Sequence, residues 1–382
     1  MKNPFNPRYP VDPKYFVGRK AVLNGLERDF RFSFEADPPK PENVALVGEW
    51  GIGKTSALNK FYEIINQHKG VLPIFVSLTT YKDFSYFVKD FINQVYRAIS
   101  ESKSVSTKTK EDIFSWKIKS LKLGPISAEK EIKEFTGLSA SEQLRACLLD
   151  LWKEYIDGKF KLVILMLDDF HHVVKIARES LYDLRAIFQG LPRYACNYQL
   201  LITGSPDMFG EIRNLAEPLV RFFEKYELTP FSYKETQDEI KKPIKQASIP
   251  ISINQDVIDK IYKLSMGHPF FIAFIMRDLI ELKKRGKIDA VYFDKKYSSI
   301  FNHLRKDKFE KDLDSASENE RKILFNIAKL NSEEIRPNDI KANVKNVRMY
   351  LSSLVTKNLI SKLGRGRYKL YHPLFGEYLR NI

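Results

Sequence analysis

Apolar positions in the first 230 residues alternate between short continuous runs and longer stretches of helical period. The runs are Val44–Val47, Val71–Leu78, Leu162–Leu167, Tyr198–Ser205 and Phe222–Leu228. Brief apolar runs without polar alternation predict strands buried on both faces, as in a parallel sheet. Between them lie amphipathic stretches. Lys20–Phe34 carries Val22, Leu23, Leu26 and Phe30 on one stripe, and Asp83–Ile99 carries Phe87, Phe91 and Val95. Helices are also expected over Ser56–His68, from a Ser141 cap to about Tyr155, and over Ala177–Gln189. Strand and helix in alternation predict an α/β fold with a parallel sheet of about five strands flanked by helices.

The pattern changes after residue 231. From Ser232 to about Lys287 it is helical with no strand signal, broken at Met266-Gly267-His268-Pro269. Residues 284–316 read as further helix and connector. Ser317-Glu-Asn-Glu320 is a capping box, opening a helix to Lys329. A short helix near Pro337–Lys341, a third over Lys345–Lys357 and two short strands around Gly364-Arg365-Gly366-Arg367 follow, which is the order of a winged helix. Residues 1–15 hold Pro4, Pro7, Pro10 and Pro13, and read as an extended arm. The expected domains are thus the arm (1–15), a core (16–231), a helical lid with connector (232–316) and a winged helix (317–382). Residues 101–138 interrupt the core as an insert, whose Trp116–Leu123 alternates with period two and predicts a half-solvated strand.

Composition adds two constraints. The 382 residues carry a net charge of +15, which favours anionic partners. The last 66 residues carry +7 of it, so the C-terminal piece is the most basic per residue. Cys147 and Cys196, both in apolar surroundings, offer no framework of disulfides or metal ligands. No secretory leader and no uncharged apolar run of membrane length are visible, so a soluble cytoplasmic protein is expected.

The chemistry concentrates in Gly48-Glu49-Trp50-Gly51-Ile52-Gly53-Lys54-Thr55-Ser56, set between a strand and a helix. That is the context of a phosphate-binding loop. Gly48, Gly51 and Gly53 let backbone N–H groups approach phosphate oxygens, Lys54 reaches the outer phosphates, and the Thr55 hydroxyl ligates Mg²⁺. The third run ends in Asp168-Asp169. Asp168 is expected to hold Mg²⁺ through water, and Asp169 to orient or deprotonate the attacking water. The fourth run ends in Thr203-Gly-Ser205 and is expected to lie between the other two. Either hydroxyl then senses the γ-phosphate, with turn capping as the competing use. His171 and His172 read as ordinary loop histidines.

Taken in order, Phe16-Val17-Gly18-Arg19, the phosphate loop, Leu167-Asp168-Asp169, Thr203-Gly-Ser205 and Gly267-His268-Pro269 resemble the STAND-type relatives of AAA+ P-loop ATPases, above all the archaeal ones ending in a winged helix. The resemblance implies a switch that binds and hydrolyses ATP with Mg²⁺, a nucleoside-triphosphate hydrolase. It implies that Phe16 to Arg19 line the adenine side and that Gly267 and Pro269 form a nucleotide-sensing lid motif. It implies that Arg221, in Glu217-Pro-Leu-Val-Arg221, is an arginine finger acting on a neighbouring subunit of a nucleotide-dependent homo-oligomer. With no repeat array after the lid, any partner protein must use the winged helix, the insert or another chain. The alternative is a DNA-binding AAA+ ATPase of the origin-recognition or transposition-helper type. Lys345, Asn346, Arg348, Arg365 and Arg367 would then meet duplex DNA through residues 345–369. A third reading is a nucleotide-binding scaffold with negligible turnover, against which Asp169 argues.

Overall fold

A computed structural model describes residues 3–101, 138–176 and 180–382. The expected strand at Trp116–Leu123 and the expected start of a helix at Ala177 lie outside the described residues. The chain divides into two compact units, Arg19–Thr229 and Met1–Gly18 with Pro230–Ile382.

The Arg19–Thr229 unit is built on five parallel strands: β1 (Val44–Gly48), β2 (Val71–Ser77), β3 (Leu162–Asp168), β4 (Tyr198–Gly204) and β5 (Glu224–Leu228). Their order in the sheet is β2-β3-β4-β1-β5, so β4 lies between the phosphate-loop strand and the acidic strand. Register places Thr203 beside Leu46 and Ile202 beside Leu167. Every residue of β1 and β4 is buried, as is β3 up to Leu167. Helices cover both faces, which is why these strands read as unbroken apolar runs. The edge strand β5 differs: it begins at Glu224, not Phe222, and most of it is exposed. Phe222 and Phe223 instead pack in or against the core before the strand starts. The Tyr226 hydroxyl on β5 donates to Asp29 of helix Lys20–Glu35.

Two local expectations are corrected here. Ser139, not Ser141, caps helix Ala140–Leu151, while Ser141 Oγ donates to Asp183 at 2.7 Å. His171 and His172 open a short helix, His171–Ile176, and do not lie in a loop. A further helix, Met208–Val220, contains Pro218 and so carries no clean helical signal. Cys147 and Cys196 are buried free thiols, and burial pushes them up to about 12 and about 11.

The other unit has two apolar cores. One joins Phe5 of the arm to Phe231, Ile240, Ile258, Ile272 and their neighbours. The arm is further tied by Arg8 to Asp307 at 2.8 Å. This unit does contain strands: β6 (Ile251–Ile253) and β7 (Gly286–Ile288) form a parallel pair. Three residues are too few for a period, so only pairing across the intervening helices reveals them. Helix Gln255–Ser265 ends in Met266 and Gly267, both left-handed (φ 51° and 73°), and helix Pro269–Lys283 begins at once. A Cβ at Gly267 would stand 2.1 Å from the Phe231 carbonyl oxygen, so no other residue fits that bend.

The second core holds the winged helix. Its helices are Glu318–Leu330, a single 3-10 turn at Pro337–Asp339, and Val347–Thr356. The wing pairs β8 (Ile360–Gly364) with β9 (Arg367–Leu370), and a last helix spans Pro373–Arg380. His372 fastens this piece to the preceding helices. Its Nε2–H donates to the Ser265 carbonyl at 3.0 Å, its Nδ1 accepts from the Leu374 N–H, and its ring stacks on Phe271 at 3.7 Å. Burial pushes its pKa down to about 4, so it stays neutral.

The capping box at Ser317 is present, and Glu320 is buried within it. Burial alone would raise its carboxyl. Lys357 at 2.6 Å, with hydrogen bonds from Ser353 and Ser317, outweighs burial and holds it down to about 2. Because the folded value is depressed, this stabilisation is complete above the ordinary carboxylate range and is lost as pH falls through about 4.5 towards 2. Glu320→Gln is expected to lower stability by about 1–2 kcal/mol at pH 7. Urea unfolding at pH 7 and pH 3 checks this: the gap between variant and wild type should shrink at the lower pH.

Candidate nucleotide site

The carboxyl ends of β1, β3 and β4 meet at one edge of the sheet, where open α/β sheets bind ligands. Gly48 closes β1, and the loop then winds to Gly53, whose φ of 97° suits only glycine and which caps helix Lys54–Ile65. The loop's N–H groups and the helix start form an anion cradle. Glu49 and Gly51 are half-buried, Trp50 is exposed and Ile52 is buried, while Ser56 is half-buried in the first helical turn.

Lys54 Nζ donates to the Gly48 and Glu49 carbonyls at 2.9 and 3.0 Å. Burial lowers its pKa, against the opposing pull of Asp169, Asp168 and Glu49. The Thr55 hydroxyl donates to Asp168 Oδ2 at 2.8 Å. The Thr203 hydroxyl donates to Asp168 Oδ1 at 2.6 Å and accepts from the Asp169 N–H at 2.8 Å. The Thr203 carbonyl accepts from the Phe170 N–H, also at 2.8 Å. Burial raises the Asp168 carboxyl; the two threonine hydrogen bonds oppose this, Asp169 adds to it, and Lys54 opposes it. Asp169 has a left-handed backbone (φ 58°), and 47% of its side chain is exposed.

Thr203 is therefore fully buried and committed to the acidic turn. Ser205 stands just past β4 and is half-buried. Arg19 is buried, and its guanidinium reaches the loop backbone, donating to the Ile52 carbonyl at 2.9 Å and to that of Thr229. Arg221 ends helix Met208–Val220 on the surface, 2.9 Å from Glu217. Phe16, Val17, Gly18, Gly267 and Pro269 belong to the other unit. There Gly18 and Gly267 both close on Phe231: a Cβ at Gly18 would stand 3.1 Å from its ring, and the Phe231 N–H donates to Gly267 at 2.8 Å.

The donor set fits a small divalent cation. Thr55 and Asp168 supply a hydroxyl and a carboxylate at hydrogen-bond distance, the hard oxygen donors that Mg²⁺ takes alongside phosphate and water. Among the described residues, no group of three or more His, Cys, Asp or Glu could hold a metal by itself. None of the described helices is long and apolar enough to cross a membrane. Two features escaped sequence reasoning. Arg19 braces the loop, and His171 stands beside Asp169; neither contact has a signal in spacing.

A family model described as an AAA domain matches residues 40–210. No curated protein matches. Among solved structures, the Walker-type ATPase PABY2304 of Pyrococcus abyssi is 16% identical with a TM-score of 0.60, covering 96% of each chain. The Aeropyrum pernix ORC2 protein, solved as ADPNP–ADP complexes, is 16% identical with a TM-score of 0.61, covering 100% of this chain and 97% of that one. The ORC1 protein of the same organism, solved in complex with DNA, is 17% identical with a TM-score of 0.52, covering 95% and 92%. At these identities the likeness is one of fold, and it runs through the sheet, the helical lid and the winged helix. The chain thus carries an AAA domain over residues 40–210, within a fold like that of these archaeal proteins along its length.

Proposed function

We propose that this protein is a Mg²⁺-dependent ATP-binding and ATP-hydrolysing switch. The observation that carries the reading is the junction of Thr55 and Asp168 at 2.8 Å beside Lys54 and the half-exposed Asp169. The loop amides take the phosphates, and Lys54 exchanges its carbonyl partners for the outer phosphate oxygens. Thr55 and Asp168 would hold Mg²⁺, whose charge offsets that of the phosphates. Asp169 orients the water and takes its proton. Ser205 contacts the γ-phosphate, and Arg221 serves a neighbouring subunit of a homo-oligomer. Phe16 to Arg19 bind the adenine side, and Gly267 and Pro269 respond to nucleotide. The shared seat of Gly18 and Gly267 on Phe231 supports these two boxes moving as one piece. The His372 contacts support the winged helix moving with them. The site of action is proposed to be the cytoplasm.

The second reading concerns the output. Lys345, Asn346 and Arg348 are exposed at the start of helix Val347–Thr356, and Arg365 and Arg367 are exposed on the wing. Arg367 is paired to Glu334 at 3.2 Å, an exposed contact that a phosphate can replace. Together with the whole-chain likeness to ORC1 and ORC2, this favours duplex DNA as the partner, as in the origin-recognition class, over a STAND-type partner protein.

Three measurements test these readings. Lys54→Ala should weaken ATP binding and lower turnover by about 100-fold or more, while Asp169→Asn should spare ATP affinity and abolish turnover; unchanged hydrolysis in either sinks the enzyme reading. Thr203→Val leaves two polar groups of the acidic turn without partners, at about 1–3 kcal/mol each, and should reduce both melting temperature and turnover. Affinity for duplex DNA should fall linearly on a log–log plot against salt, with a smaller slope for Arg365→Glu with Arg367→Glu. If the wild type shows no binding at low salt, DNA is not the partner.

A further inference from the structure

The acidic turn carries one polar atom that the hydrolysis reading leaves unused. His171 opens the short helix two residues beyond Asp169. Its Nδ1 is buried and has no hydrogen-bond partner among the described residues. It stands 3.7 Å from Asp169 Oδ1. That is too long for a hydrogen bond, yet a small rotation of either side chain closes it. The ring is held in place, with its side chain 27% exposed and its centroid 4.3 Å from that of His172. Asp169 is anchored through its backbone N–H to Thr203, and 47% of its side chain is exposed.

The surroundings fix the charge state of the ring. Burial lowers its pKa most. His172 and Lys175 on its own helix and Lys54 of the loop act in the same direction, and Asp168 on β3 opposes them, leaving it at about 4. At neutral pH the ring is uncharged, with one N–H and one bare nitrogen. A neutral donor can orient a carboxylate without cancelling the negative charge that makes it a base.

We infer that His171 is a positioning residue for hydrolysis: its Nδ1–H donates to the Asp169 carboxylate and fixes the face that Asp169 turns to the attacking water. This rests on the hydrolysis reading. It makes His171 act on the chemical step and not on nucleotide affinity, because it contacts the base and not the phosphate loop. Orientation of a catalytic group by a second side chain is worth large factors in rate when the group is otherwise free to turn.

The test uses the full chain and three variants, with kcat, KM and the affinity for a fluorescent ATP analogue measured for each. His171→Phe keeps the ring volume and removes the donor, whereas His171→Asn restores an N–H near the place of Nδ1. Loss of the donor is expected to lower kcat by about 10-fold or more, with KM and nucleotide affinity unchanged and most of the rate recovered in His171→Asn. Wild-type kcat in His171→Phe, or equal loss in His171→Phe and His171→Asn, overturns the inference, as does a loss confined to KM or affinity. Lys54→Ala separates the two levels. If it abolishes turnover while His171→Phe does not change it, only the role of His171 fails. If the wild type shows no turnover, or Lys54→Ala equals it, the hydrolysis reading fails and takes this inference with it.

Discussion

The Thr203 hydroxyl holds the candidate site together. It is one group with one proton, and it spends both of its capacities on adjacent residues, donating to the Asp168 carboxylate and accepting from the Asp169 N–H. The neighbouring Thr203 carbonyl takes the Phe170 N–H. Three consecutive residues of the acidic turn thus hang from the end of β4. Asp169 can sit at φ 58° because the structure on either side over-determines it. This arrangement needs β4 between β1 and β3, and the sheet order provides that. A hydroxyl that looks like a phosphate sensor in sequence is, in this structure, the peg on which the acids hang.

The same few ångströms store an electrostatic tension. A lysine and two carboxylates converge where water is partly excluded, so burial lowers Lys54 and raises Asp168. Neighbours oppose both shifts, Asp169, Asp168 and Glu49 for Lys54 and the two threonine hydroxyls with Lys54 for Asp168, while the Gly48 and Glu49 carbonyls take the Lys54 hydrogen bonds. Both sets of partners are ones that a phosphate and a divalent cation can replace. A site whose internal bonds are substitutes for ligand contacts is well suited to change state when the ligand arrives.

The Pro230–Ile382 part is organised around a different constraint. Gly267 must be glycine because Phe231 leaves no room for a side chain, and Gly18 is crowded by the same residue. Ser265, two residues before Gly267, receives the His372 N–H and also accepts from the Gly267 N–H through its hydroxyl. The Gly18 and Gly267 segments and the winged helix therefore share one packed seam inside this unit. A neutral, stacked histidine is a suitable fastening, since a charged ring could not stay buried there.

By itself, the sequence determined the parts whose physics is local. Strands buried on both faces must be apolar throughout, so β1 to β4 were legible as runs. A phosphate loop needs glycines, a lysine and a threonine at fixed spacing, so Gly48 to Ser56 could be read directly. The box at Ser317 needs only two side chains three residues apart. What the tertiary structure decided was everything that depends on distant partners. The three-residue strands β6 and β7 exist only through their pairing, and helix Met208–Val220 holds its proline because the core packs it. The resemblance puts Arg19 on the adenine side, and only the fold shows that its guanidinium also braces Ile52 and Thr229, a contact across 33 and 210 residues of chain. His171 reads as an ordinary loop histidine until folding sets its Nδ1 3.7 Å from Asp169. Spacing along a chain records local geometry, whereas burial, charge state and the choice of partner arise only when the chain closes on itself.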